Sequence, residues 1–180
     1  MIFDPASKLG AMSHPTPCCG TSGQPRFIWP SPETLKFLEL VGNQDLSNQD
    51  GFRIGIVFLS STLELLLEDS LREQLWRHVK TADLTDYLLQ TVRGRDSRLR
   101  LYAAPYGMNF KGVMVSLGKV AFLDLWDKLA AARNEIAHGK YVMGGKITQN
   151  ELVQIQQECL SVFAVLQNHA STGKPYVPTA

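Results

Sequence analysis

Residues 52–79 read FRIGIVFLSSTLELLLEDSLREQLWRHV, and this stretch decides the fold. Its first half, IGIVFLSSTLELLL from Ile54 to Leu67, is apolar nearly all round, a pattern a helix adopts when other helices enclose it. Its second half is amphipathic. Leu63, Leu67, Leu71, Leu75 and Val79 recur every four residues along one side, while Glu68 and Arg72 are spaced to pair on the flank. A long helix that is buried at one end and emerges toward water at the other predicts an all-α domain with this helix at its centre.

Upstream, Ser31-Pro32-Glu33 supplies a capping hydroxyl, a proline at the first helical position and an acidic first turn, and Gly42 is a natural stop. A short helix over 32–41 follows. Residues 1–30 are rich in Pro, Gly, Ser and Thr and read as an extended arm. Within it Gly10-Ala11-Met12 resembles a cloning junction, which leaves open whether residues 1–12 are native. Downstream, a helix over about 83–92 ends near Gly94, and 93–118 mixes Gly, Pro, Arg and aromatics without clear period. That stretch is expected to be a long connection with one or two strand-like pieces. The next helix, 117–138, carries Phe122, Leu125, Leu129, Ala132 and Ile136 at spacings of 3, 4, 3 and 4, a core stripe. After a turn through Gly144-Gly145, Thr148 to Glu151 has the form of a capping box and opens a helix with Leu152, Ile155, Cys159, Val162 and Leu166 on one face. A polar tail is expected from about His169. The expected architecture is an up-and-down bundle of four to five helices, with an arm at 1–30, a helical domain at 31–170 and a tail at 171–180.

The 180 residues, 44% of them apolar, are enough for one domain with a real core, and a net charge of +1 gives no global field for nucleic acid. Any contact with RNA must come from a local patch. Cys18, Cys19 and Cys159 form no disulfide framework, so a reducing cytoplasm is expected. No window approaches the roughly 18 apolar residues of a membrane span, and MIFDPASKLG lacks the basic-then-apolar order of a signal peptide. The four histidines (14, 78, 138 and 169) and three cysteines show no ligand-like spacing, so neither a metal site nor a cofactor is expected; His14 with Cys18-Cys19 belongs to the arm.

Opposite its core stripe, the 117–138 helix gathers Asp127, Ala131, Asn134 and His138 on one face, with Arg133 at the border. Ala131 permits close approach of another helix. Arg133 and His138 lie about 140° apart around the axis, so one helix does not join their side-chain ends, whereas two copies of it can. From geometry alone, Asn134 and His138 are equally well ordinary surface residues near a helix end, where a histidine suits the dipole.

The string Arg133-Asn134-Glu135-Ile136-Ala137-His138-Gly139 resembles the signature of the HEPN superfamily, often written RNxIAHG. The resemblance implies an up-and-down helical bundle that dimerises through its motif helices, here 117–138, and in many members cleaves RNA. It implies that Arg133, Asn134 and His138 of two subunits line a shared cleft. His138 is of the side-chain type that suits general acid–base work near neutral pH. Arg133 offers a permanently charged fork for a phosphate, and Asn134 a hydrogen-bonding arm. The implied reaction is metal-independent attack of an RNA 2′-hydroxyl on the adjacent phosphate of a single strand. Such proteins commonly act in toxin–antitoxin or antiviral settings, restrained by an antitoxin or regulatory protein. Other members are inactive modules for protein or nucleotide binding, which is the alternative here.

Supporting candidates surround the motif. Asp127 shares its face. Glu64, in the apolar half of the long helix, either orients Arg133 or sits on an exposed edge. Arg93, Arg95, Arg98 and Arg100 form the concentrated basic run, followed by Tyr102 and Tyr106; a mobile loop of this kind either grips single-stranded RNA or is a solvated loop neutralised by Asp96. Lys140 follows the motif as a further RNA-contact candidate. Some HEPN toxins carry a modified tyrosine two residues after the motif histidine; here Lys140 stands there and Tyr141 comes third.

Overall fold

The structure, a computed structural model, describes residues 29–140 and 145–172. Among them the chain forms helices and no strand: α1 (Pro32–Gly42), α2 (Gln49–Val79), α3 (Ala82–Thr91), α4 (Arg95–Ala103), a 3-10 turn (Ala104–Tyr106), α5 (Phe110–Ser116), α6 (Val120–Ala137) and α7 (Gln149–Thr172). The protein is all-α, as its hydrophobic periods predict. The expected arm and tail fall almost wholly outside the described residues.

Helix α2 is the hub, packing against α1, α3, α4, α6 and α7. Leu63, Leu67 and Leu71 are fully enclosed and Leu75 nearly so, which is the row its sequence marks out. The Asn48 side chain caps α2 by accepting the Gly51 N–H at 2.7 Å. Gly51 is required for space, since a Cβ there would lie 2.2 Å from the Asp45 carbonyl oxygen.

Around this hub the helices alternate in direction. Phe37 of α1 meets Phe58 of α2 with ring centroids 5.8 Å apart, while Ser31 at the other end of α1 reaches Asp69, so α1 runs antiparallel to α2. Glu68–Arg98 and Gln74–Tyr102 contacts set α4 parallel to it. Lys128–Glu151 and Phe122–Phe163 contacts set α6 antiparallel to α7. The capping box forms as its spacing predicts, the Thr148 N–H donating to the Glu151 carboxylate at 2.8 Å and the Glu151 N–H to the Thr148 hydroxyl at 3.3 Å.

Two expectations are corrected. The stretch 93–118 is not a long connection with strand-like pieces: it holds α4, the 3-10 turn and α5, so the described bundle has seven helices rather than four to five. Leu99, Tyr102, Ala103 and Tyr106 are buried at helical intervals, as are Phe110, Val113 and Met114, and Asn109 caps α5 through the Gly112 N–H at 2.8 Å. Nor does a polar tail begin at His169. Helix α7 continues to Thr172, and the His169 ring packs on Tyr106 with centroids 4.2 Å apart.

Candidate functional site

Helix α6 buries Phe122, Leu123, Trp126, Leu129 and Ala132. The buried side is rotated slightly from the expected stripe: Leu125 and Ile136 are half-buried, and Trp126 sits at the centre with edge contacts to Phe110 at 6.2 Å and Phe163 at 5.4 Å. Asp127, Asn134 and His138 are exposed on the other side and Ala131 is half-buried there, as the helical wheel predicts; Arg133 is exposed as well. Among the described residues no hydrogen bond or ion pair engages the side chains of Arg133, Asn134 or His138.

The end of α6 explains one motif residue without chemistry. His138 is the last residue before the break, and Gly139 takes φ 67°, where its N–H donates to the Ile136 carbonyl at 3.0 Å and the Lys140 N–H to the Glu135 carbonyl at 2.9 Å. These two bonds close a glycine-terminated helix and satisfy carbonyls that would otherwise be orphaned. His138 is thereby held at the lip of the helix with its ring in solvent, and Lys140 is exposed beside it. Tyr141 and Gly144 lie outside the described residues.

The basic run is not the loop that both of its expected readings assumed: Arg95, Arg98 and Arg100 lie on a helix. Arg95 and Arg98 belong to α4 and face inward. The Arg95 guanidinium lies 4.8 Å from the Trp126 ring centroid and pairs with Asp127, so Asp127 is engaged by a clamp between α4 and α6 rather than by the motif. Arg98 pairs with Glu68 at 3.1 Å, and Arg72 pairs with both Glu68 and Asp86. Arg93 and Arg100 remain exposed. Tyr102 is fully enclosed and unable to stack on a base: its hydroxyl donates to the Leu166 carbonyl at 2.7 Å and lies 3.2 Å from His169 Nδ1. Tyr106 is buried too, its hydroxyl donating to the His169 carbonyl at 3.4 Å.

Burial governs the titrating groups here. It pushes both tyrosine hydroxyls above their ordinary range and the His169 imidazole below its own, because desolvation penalises the charged form. Asp69, buried on α2, is raised to about 6 by desolvation and then by the neighbouring Glu68, against the Ser31 backbone amide and Arg72, which favour its charge. One of its carboxylate oxygens has no hydrogen-bond partner. Glu64 takes the second of its expected positions: it is exposed and borders a depression with Phe37, Ser61, Leu65, Glu68 and Arg98, and no ion pair joins it to Arg133 among the described residues.

Neither that depression nor a neighbouring one between Arg72, Asp86 and Arg98 is lined by Arg133, Asn134 or His138. Among the described residues the motif side chains are exposed at the end of α6. No group of three His, Cys, Asp or Glu side chains is placed to hold a metal ion, and no helix is long and apolar enough to cross a membrane, both among the described residues. No family model, curated protein or solved structure matches this chain.

Proposed function

We propose that the protein is a HEPN-type endoribonuclease that cleaves single-stranded RNA at a composite site made by two copies of the α6 end. The supporting observation is the exposure of Arg133, Asn134 and His138 together at a glycine-capped helix end, where no partner within the described residues satisfies them. In this reading His138 takes the proton of a ribose 2′-hydroxyl as its oxygen forms a bond to the adjacent phosphorus. The bond from phosphorus to the 5′-oxygen breaks, and the His138 of the second copy, protonated, supplies the proton to that leaving oxygen. Arg133 pairs with the non-bridging phosphate oxygens as charge builds, and Asn134 holds the phosphate or the imidazole. The products are a 2′,3′-cyclic phosphate and a 5′-hydroxyl. Ala131, small and half-buried, favours close approach of the second α6. A cytoplasmic toxin–antitoxin or antiviral role, with a regulatory protein restraining the site, belongs to the same proposal.

The openness of the motif end in one copy also favours a second reading, an inactive module that binds a protein or nucleotide there. Incubation of a mixed single-stranded RNA with the purified protein in chelator, beside Arg133→Ala and His138→Ala, separates the two. Cutting that leaves cyclic phosphate ends and is lost in both variants supports the ribonuclease; a folded, dimeric wild type that leaves RNA intact supports the module.

A further inference from the structure

The hub helix is not enclosed on all sides. Away from the core, Ile54 is 42% and Val57 38% exposed, Glu64 is exposed, and Arg53, Ser61 and Leu65 are half-buried. These residues form a strip with two flanks of the same spacing. Arg53 and Glu64 are eleven residues apart on one flank, and Ile54 and Leu65 eleven apart on the other. Eleven residues make close to three full turns, about 16 Å of rise, so each pair lies along a line nearly parallel to the axis. Val57 and Ser61 sit between the flanks, and all three pairs are centred near position 59. Beside Leu65 the surface sinks into the depression of about 350 Å3 that Phe37 walls.

We propose that this strip is an isologous interface on which a second copy of the chain docks, α2 antiparallel to α2. A twofold axis near position 59 sets Arg53 of each copy against Glu64 of the other, Ile54 over Leu65 and its depression, and Val57 against Ser61. Opposite charges meet on one flank, apolar side chains close on the other, and the small Ser61 lets the axes approach. The opposite, parallel alignment sets the charged flank of each copy against the apolar flank of the other, which leaves Arg53 and Glu64 unpaired and disfavours it. Sharing one midpoint among three complementary pairs is what a self-associating surface requires and a surface for an unrelated partner does not. Among the described residues neither Arg53 nor Glu64 has an ion-pair partner within its own copy.

This interface lies on a different helix from the α6 pairing and stands without it. The test is sedimentation of wild type, Arg53→Glu, Glu64→Arg, the double reversal, Val57→Asp and, on α6, Ala131→Arg, each checked for folding by helical circular dichroism. Each single reversal sets like charges opposite each other twice per dimer and is expected to weaken association on the order of tenfold. The double reversal is expected to restore it, Val57→Asp to abolish it, and Ala131→Arg to leave this association in place. A wild type that stays monomeric at every concentration, or an association that, with α6 pairing blocked by Ala131→Arg, survives both single reversals and Val57→Asp, overturns the proposal. So does a double reversal as weak as the singles together.

Discussion

The end of α6 and the packing of α4 onto α2, α6 and α7 are made from the same kinds of residue and are put to opposite uses. At the first, Arg133, Asn134 and His138 face solvent with no partner among the described residues. At the second, Arg95 lies on Trp126, Arg98 pairs with Glu68, and Tyr102 and His169 are hydrogen-bonded inside the bundle. An arginine or a histidine carries chemistry to an incoming molecule only where the fold has not already satisfied it. The difference is set by neighbours, not by residue type.

The largest effect that can break this contrast is on turnover. On the proposed ribonuclease reading, His138→Ala and Arg133→Ala are each expected to lower RNA cleavage by about 100-fold or more while leaving the melting temperature within about 2 °C of wild type, because neither side chain supports the bundle. If thermal unfolding shifts as much as activity does, the α6 end is structural and the contrast fails. Tyr102→Ala should do the reverse, with a destabilisation of about 4 kcal/mol from the cavity it leaves, measured by urea unfolding. Tyr102→Phe should retain most of the packing and lose about 1–2 kcal/mol, since the buried bond from the hydroxyl to the Leu166 carbonyl is lost.

Asp69 sharpens the buried side of the comparison. Its pKa is raised from 3.8 to about 6 in the fold, so the native state favours the protonated form. The corresponding stability is fully present below about pH 4 and is lost as pH rises through 6, for a total of about 3 kcal/mol. Asp69→Asn is therefore expected to stabilise the protein at pH 7.5, with a gain that shrinks toward pH 4; unfolding curves at the two pH values check it. The smallest effect belongs to Gly139→Ala. Among the described residues nothing stands within 4 Å of the added methyl group, so the left-handed backbone at φ 67° is what opposes it, by about 1 kcal/mol, readable as a melting shift of about 3 °C.

The fold was legible wherever one period dominated a long segment. The leucine row of α2, the core face of α7 and the Thr148 capping box are where their spacing puts them, and the core face of α6 is turned only slightly from its stripe. The α4–α5 stretch was not, because Gly94, Pro105, Gly107 and four arginines punctuate segments of nine and seven residues, too short for their periods to stand out. Yet Leu99, Tyr102, Ala103 and Tyr106 do recur at helical intervals, and Asn109 followed by Gly112 is a capping pattern. For the site, exposure of Asn134 and His138 follows from the wheel of α6, which leaves Arg133 at the border. That Asp127 is taken by Arg95 and Glu64 borders a groove with Arg98 does not, since both depend on which helices come together.

The Arg95 clamp also supplies the protein with an optical reporter. Trp126 is only 2% exposed, roofed by a guanidinium and edged by two phenylalanines, in the same helix as His138 and about 18 Å along its axis. An indole so enclosed emits at short wavelength and shifts to the red when water reaches it. With Trp29 and Trp76 replaced, the colour of a single residue would record, without a label, whether whatever grasps the tip of α6 also loosens its root.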